Sequence, residues 1–447
     1  MALTSEDLTF PRGGIHPGEG KDRTRDCPLV KSEPPDEVAV LMIQHIGAPA
    51  RAVVEKRDAV SKGQIIGKAQ GHVSANIHAP VSGEVRKIEN RTHHPTGKPV
   101  QAVIIKNDRE ETWAQGFNEP QDFDAMDAEQ MVDRVRECGV VGMGGATFPA
   151  HVKLTPPPGT PVEDVIINGA ECEPALTCDE RVMVEQTDEI VDALRIMMRI
   201  VGADRGHVGI EANKPESLDA FSRATAGEPD IEVHSLEVKY PQGAEQQLIT
   251  AITGREIPTE GGLPSDVGCL VHNVCTAVAI RDAIRLRKPL IERPLTVTGE
   301  GIEDAGNFLE RIGTSAQHIL ERQGMLEDAN MLIVGGPMMG VAQPHLDVPI
   351  TKGTSGLILR HVSKPPPQRA CIRCGRCVEH CPLGLVPSAL SIYCEQEEWD
   401  FAREANMMEC RECGCCAYVC PAKRRIVHLV QYGKSELAKK KKKPQSE

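Results

Sequence analysis

The sequence predicts a multidomain protein with an α/β domain at its centre, small β domains around it, and an α-helical, cysteine-rich unit near its C-terminus. Three observations carry that reading. Short alternating apolar runs broken by Gly, Asn and Pro occupy residues 38 to 106. The middle of the chain alternates helix-period and strand-like segments. Two cysteine runs then share one spacing, Cys371-x-x-Cys374-x-x-Cys377-x-x-x-Cys381-Pro382 and Cys410-x-x-Cys413-x-x-Cys416-x-x-x-Cys420-Pro421. At 447 residues the length corresponds to about three domains.

Composition narrows the partners. A net charge of -13 argues against nucleic-acid binding, because a protein that grips phosphate backbones offers a basic face. No stretch reaches the roughly 18 apolar residues of a spanning helix, and the N-terminus lacks a signal-peptide core. The expectation is a chain on the cytoplasmic side, with proteins and small molecules as partners. Sixteen cysteines in such a compartment indicate metal or redox use rather than bridges.

Residues 1–35 are rich in Gly, Pro and charge, and read as an arm whose one distinctive phrase is Phe10-Pro-Arg-Gly-Gly-Ile-His-Pro17. Residues 36–110 form the first β domain. Its phrases Lys56-Arg-Asp-Ala-Val-Ser-Lys-Gly-Gln-Ile-Ile66 and Ile77-His-Ala-Pro-Val-Ser-Gly-Glu-Val85 resemble the two strand-turn-strand corners of the biotinyl/lipoyl carrier fold, a barrel-sandwich hybrid. Carriers of that family have a modifiable lysine at the intervening hairpin tip. Here the tip is Ser74-Ala75-Asn76, so the resemblance implies an unmodified docking module.

Residues 120–289 form the α/β domain. A polar boundary at 120–124 precedes a helical segment at 128–138, followed by Gly139-Val-Val-Gly142-Met-Gly144-Gly145-Ala-Thr-Phe148-Pro149. Such glycines let backbone N–H groups approach anionic oxygens, although plain turns use them too. Residues 165–168 read as a buried strand, and Asn168-Gly-Ala-Glu171-Cys-Glu173-Pro174 stands at its carboxyl end, where open α/β sheets place ligands. An amphipathic helix at 184–201 and a strand at 206–212 continue the alternation. Taken alone, Glu171 and Glu173 can equally cap a helix or pair with Arg181.

Residues 290–362 begin with a strand-turn signal at 294–299, continue through a segment at 308–323 of helical pattern, and resume as a strand at 331–336. Gly335-Gly-Pro-Met-Met-Gly340 lacks a following Lys-Ser/Thr and reads as a structural turn with Met338 and Met339 as packing residues. Pro365 to Pro367 act as a stiff linker into the cysteine-rich unit, residues 363–437, with helices at 388–401 and 426–437. The Lys-rich tail 438–447 reads as disordered and solvated, with contact to anionic lipid as its other use.

The cysteine spacing is that of two-cluster bacterial ferredoxins, in which each [4Fe-4S] cube takes three thiolates of one run and the fourth of the other. Cys371, Cys374 and Cys377 then pair with Cys420, and Cys410, Cys413 and Cys416 with Cys381. Zinc sites come as separated ligand pairs rather than such runs. Cys27, Cys138, Cys172, Cys178, Cys269, Cys275, Cys394 and Cys415 show no second ligand spacing and read as buried structural residues.

Four motifs, Gly142-x-Gly-Gly-Ala-x-Phe-Pro-x-x-x-Lys153, Asn168-x-x-Glu-x-Glu-Pro174, Tyr240-Pro-Gln-Gly-Ala-Glu245 and His272-Asn-Val-x-Thr276, resemble in order those of the FMN- and NADH-binding subunit of respiratory complex I. The resemblance implies non-covalent FMN held by Gly142, Gly144, Gly145, Lys153, Asn168, Glu171 and Asn273. It places Glu173 and Glu245 nearby and Phe148 against NADH. The family's arginine in the Gly-rich loop is Met143 here, and its Asp in the acidic phrase is Ala170. The order of parts, with a β-grasp domain of the soluble-ligand-binding (SLBB) type at 290–362, is similar to the RnfC component of the Rnf ion-translocating electron-transport complex. That implies a peripheral subunit on the cytoplasmic side of the cell membrane, acting as an NADH:acceptor (ferredoxin:NAD) oxidoreductase component. Its partners would be the other subunits, NAD(H) and, indirectly, ferredoxin. Two other readings stay open: a soluble cobalamin-reductase-type flavoprotein, and a cluster-bearing relay or docking subunit with no nucleotide site.

Overall fold

The computed structural model describes residues 7–442 apart from 260, 363, 365 and 366, and omits the side chains of 440–442. The segment read as an arm is laid down on two domains. Leu8 and Ile15 bridge to Leu236 and Tyr240 at the end of one α/β strand, with Phe10 and Ile15 buried as its apolar anchors. Further on, Leu29–Lys31 adds a parallel edge strand to Gly306–Arg311.

Behind the arm, two small antiparallel sheets face each other. One holds Glu37–Leu41, Lys98–Asn107, Gly83–His93 and Ala59–Val60; the other holds Arg51–Ala52, Ile65–Lys68 and Ile77–His78. Alternate residues such as Val38, Val40, Ile66, Ile77, Val85, Val103 and Ile105 point inward and form the core. The Ser74-Ala75-Asn76 tip is an interdomain contact. Ala75 is buried, the Asn76 amide donates to Glu137 O at 3.1 Å, and Asn76 O accepts from Lys352 Nζ at 2.8 Å.

The α/β domain has a four-stranded parallel sheet in the order Ile231–Leu236, Arg205–Glu211, Asp164–Gly169, Cys269–Asn273. Ala128–Glu137 starts with a capping box made by Asp127 and Gln130. The single helix expected at 184–201 is two helices, Cys178–Glu185 and Thr187–Val201. Gln186 leaves helical geometry at φ -133, ψ 39. The break lets the first helix reach the strand Glu292–Thr298 while the second covers the parallel sheet.

In the next domain the helix expected at 308–323 is corrected. Gly306–Arg311 is a strand paired antiparallel with Glu292–Thr298, and only Ala316–Arg322 is helical. Gly313, at φ 90, separates them. Asn307 and Phe308 alternate across the sheet, so period two prevails over a helical pattern this short. The six-stranded mixed sheet runs Leu29–Lys31, Gly306–Arg311, Glu292–Thr298, Gly356–Arg360, Met331–Val334, Val341–Gln343.

The two cysteine runs repeat in conformation as well as in spacing. Arg373 and Glu412 have φ 56 and 59, Gly375 and Gly414 have φ 79 and 85, and each glycine is followed by one helical turn, Arg376–Glu379 or Cys415–Tyr418. The helix expected at 388–401 is split into Pro387–Glu395 and Trp399–Glu404, with Glu397 at φ 59 between them. The expected disordered tail is helical as far as Lys442, because Ile426–Lys442 runs on past residue 437, with Lys439 bonded to Glu436. Pro365, Pro366 and Lys443 lie outside the described residues. Among the described residues no helix is long and apolar enough to cross a membrane.

Candidate functional site

The Gly-rich loop lies against the start of the helix Val274–Leu286. Asn273 caps that helix, its side-chain oxygen accepting from Cys275 N at 2.9 Å and Thr276 N at 3.4 Å. Thr276 Oγ1 in turn accepts from Met143 N at 2.9 Å. A Cβ on Gly144 would stand 2.8 Å from that of Asn273, so only glycine lets the loop approach the helix start this closely. Gly145 has φ 155 and open space beside it, and Gly142 N donates to Phe148 O at 2.8 Å, closing the loop. Phe148 is half-buried.

Lys153 donates to Glu245 at 2.6 Å and to Val271 O at 2.6 Å, which brings those two predicted residues together below Asn273. Asn168 donates to Gly243 O at 2.7 Å and so ties the sheet's carboxyl end to the Tyr240-to-Glu245 phrase. Asn273 Nδ2 donates to Asp179 at 2.6 Å.

Glu171 and Glu173 are occupied with backbone. Glu171 accepts from the N–H groups of Asp179 and Glu180 at 2.7 and 3.2 Å, capping Cys178–Glu185. It also lies 3.6 Å from Lys21 of the arm. Burial pushes its carboxyl up to about 7, with Lys21 opposing. Glu173 accepts from Met338 N and Met339 N at 3.0 and 2.8 Å, and burial likewise pushes it up to about 7. Neither pairs with Arg181, whose partners are Glu185 and Glu216. The arm's His16, Glu19 and Lys21 also wall one side of a cleft that reaches Glu211 and Tyr240 at the carboxyl ends of the strands.

The eight cysteines of the two runs fall into two cavities. Cys371, Cys374, Cys377 and Cys420 line one. Cys381, Cys410, Cys413 and Cys416 line the other, which Cys415 also borders. In each run the residue two past the first cysteine donates its N–H back to that sulfur, Arg373 to Cys371 and Glu412 to Cys410, both at 3.4 Å. Of the other cysteines, Cys138, Cys178, Cys269, Cys275, Cys394 and Cys415 are buried, and Cys27 and Cys172 partly so.

The second cavity abuts the rest of the molecule. Tyr240 Oη donates to Cys413 O at 2.8 Å, and Gly14 N donates to His380 O at 3.1 Å. Ile15, Tyr240 and Cys415 form a buried cluster with Met338 and Cys172 against it. Three phrases distant in sequence, Gly13 to Pro17, Glu171 to Pro174 and Gly335 to Gly340, therefore meet at one seam. Sequence reasoning misses Tyr240, although it stands in one of the four motifs, and Lys21 and Asp179, whose roles need contacts about 150 and 94 residues away.

Residues 135–282 match the Nuo51 FMN-binding domain, and residues 8–110 match the RnfC barrel sandwich hybrid domain. The chain is 44% identical over 429 residues to the C subunit of the proton-translocating ferredoxin:NAD(+) oxidoreductase complex of Clostridium ljungdahlii, covering 95% of this chain and 93% of that one. It is 41% identical over 435 residues to the C subunit of the Na(+)-translocating complex of Acetobacterium woodii, covering 97% and 98%. Against the C subunit of the ion-translocating oxidoreductase complex of Rhodobacter capsulatus the figures are 39% over 434 residues, 96% and 83%. The fold is similar to that of a chain of an NAD+-reducing [NiFe]-hydrogenase, with TM-score 0.50 and 16% identity over 72% of this chain and 64% of that one. With 39 to 44% identity along nearly its whole length, the chain belongs to the RnfC family, the C subunits of ion-translocating ferredoxin:NAD(+) oxidoreductase complexes.

Proposed function

We propose that this chain is the peripheral electron-transfer subunit of an ion-translocating ferredoxin:NAD(+) oxidoreductase complex, exchanging electrons between NAD(H), FMN and two [4Fe-4S] clusters on the cytoplasmic face of the membrane. The observation that carries the reading is the sorting of eight cysteines into two cavities of mixed origin, one of them seated on the carboxyl-end face of an FMN-type α/β domain. Family membership and the match to the FMN-binding domain favour it over a cobalamin-reductase-type protein and over a relay with no nucleotide site.

The residues suit the groups. The four motif cysteines at each cavity, with N–H···S support, are the donor set of a cubane cluster, and Cys415 is a fifth cysteine at the second one. The close approach of Gly144 to a capped helix start, with Lys153 next to it, is a cradle for a phosphate-bearing flavin. Flavin takes hydride as an electron pair and iron-sulfur clusters pass electrons singly, which is the chemistry these groups supply when bound. Gly144 and Gly145 would offer backbone N–H groups to the flavin, Gly142, whose N–H closes the loop on Phe148, would shape it, and Lys153 and Asn273 would supply cationic and amide donors. Glu245 holds Lys153 in place. Phe148, half-buried where it closes the loop, would stack against a nicotinamide. Glu171 and Glu173 act by fixing the helix 178–185 and the 335–340 turn, and so shape the cleft rather than contact the flavin directly. The 36–110 domain docks through its lysine-free tip, and the mixed sheet of 290–362 serves as an SLBB-type β-grasp platform.

Tyr240 links the α/β domain to Cys413, so the set Cys381, Cys410, Cys413 and Cys416 stands first after the flavin, and the set Cys371, Cys374, Cys377 and Cys420 second. Replacement of Cys381 or Cys420 by Ala tests this order. Each variant keeps its flavin and loses one cluster. NADH bleaches the surviving cluster in Cys420→Ala and fails to do so in Cys381→Ala. The opposite pattern, or loss of flavin from either variant, would overturn the assignment.

A further inference from the structure

One group of side chains in the α/β domain has no part in that chemistry. His207 and Glu232 are register partners on the adjacent parallel strands Arg205–Glu211 and Ile231–Leu236, and His234 lies two residues on, so all three project from the same sheet face. The group sits near the beginning of the strand Arg205–Glu211, whereas the Gly-rich loop, Asn168 and Asn273 lie at the carboxyl ends. His207 Nδ1 is 2.9 Å from His234 Nε2. The Glu232 carboxylate is 3.8 Å from the same His234 nitrogen, beyond hydrogen-bond reach. One ligand atom from each of the three residues lies within 4.8 Å of the other two.

The protons on these rings are set by their surroundings. His207 Nε2 is 3.0 Å from Asp164 Oδ1, and Asp164 is ion-paired with Arg205 and Arg255, which keeps it a carboxylate. His207 therefore carries its hydrogen on Nε2 and turns the lone pair of Nδ1 toward His234. This carboxylate–histidine pairing is how metal-binding imidazoles are oriented. Burial pulls His207 below the usual histidine range and His234 down to about 4, so both rings are neutral near pH 7. In a tetrahedral zinc site with Zn–N of about 2.0–2.1 Å the two nitrogens stand about 3.3 Å apart, a few tenths of an ångström wider than here. Glu232 is half exposed and gives a path from solvent.

We propose that His207, His234 and Glu232 bind one divalent cation of the zinc class, with solvent in the fourth position and Asp164 orienting His207 from behind. The site would clamp the sheet's outer strand to its neighbour, away from the redox groups.

The experiment uses the full chain, purified without oxygen and with its clusters in place, and zinc ions alone as the probe. Calorimetric titration should show one saturable zinc per chain, and zinc-edge X-ray absorption should show only nitrogen and oxygen neighbours. His234→Ala and Glu232→Gln should each weaken that binding at least about tenfold, while flavin and iron content stay unchanged. Glu232→Gln alters a half-exposed side chain and so remains decisive if His234→Ala fails to fold. Absence of saturable uptake, sulfur neighbours around the zinc, or unchanged affinity in the variants would each overturn the proposal; in those cases the pair is a plain imidazole–imidazole hydrogen bond.

Discussion

Lys352 is wholly buried, and its amine makes two contacts, to Asn76 O at 2.8 Å and Gly139 O at 2.7 Å. A neutral amine has two N–H groups, and both are used. Burial lowers its pKa to about 7, against about 10.4 in an unfolded chain. Between those values the unfolded state holds a proton that the folded state has released, so stability rises with pH, by up to about 1.4 kcal/mol per pH unit. Melting of the wild type and of Lys352→Met at pH 7.5 and pH 9 measures this, and the wild type should gain on the variant at the higher pH. A difference that stays constant would show that the lysine is charged in the folded protein. Gly144 makes the second residue-scale test. Ala there places a Cβ 2.8 Å from Asn273 and pushes the loop off the helix start. The expected outcome is loss of flavin on gel filtration with both clusters retained. At this scale the sequence was partly legible: the glycines, Lys153 and Asn273 stand together, and they were identifiable from motifs whose spacing reflects local backbone geometry. Helix capping by Glu171 was one of the two uses its sequence left open, whereas its contact with Lys21 was not legible, because that depends on an arm 150 residues away.

Among elements, strands with strict alternation were readable, and helices fell short wherever two turns of structure were read as one long run. Residues 308–323 carry apolar spacing that fits either period, and pairing with Glu292–Thr298 decides for a strand. Gln186 and Glu397 interrupt helices without Pro or Gly, so composition gave no warning. The arm's destination was invisible for a different reason: its edge strand Leu29–Lys31 is held by backbone hydrogen bonds, which any sequence can make. In the sequence, Gly13 and Gly14 mark the place where it touches the cysteine-rich unit. Gly13 has φ 65, and a Cβ there would stand 2.6 Å from the carbonyl of Cys381. Gly13→Ala should cost about 1–3 kcal/mol locally and detach this part of the arm. The expected readout is faster loss of cluster absorbance to a chelator, confined to the set containing Cys381. Equal loss from both sets would contradict the seam.

At the scale of the molecule, the twin cysteine runs, the α/β core and the β domain with its lysine-free tip were each identifiable along the sequence, while their assembly was not. It rests on Tyr240 reaching Cys413, on Glu173 holding the 335–340 turn, and on Asn76 meeting Lys352, all contacts between distant segments. That assembly sets the Cys381, Cys410, Cys413 and Cys416 group against the α/β domain, and the proposed function depends on this juxtaposition. It is tested by adding NADH to the anaerobically reconstituted chain, with flavin and iron counted beforehand. The expected result is one FMN and about eight iron atoms per chain, and bleaching of both flavin and cluster absorbance. A chain that holds its clusters but no flavin, or whose clusters NADH leaves unbleached, would refute it.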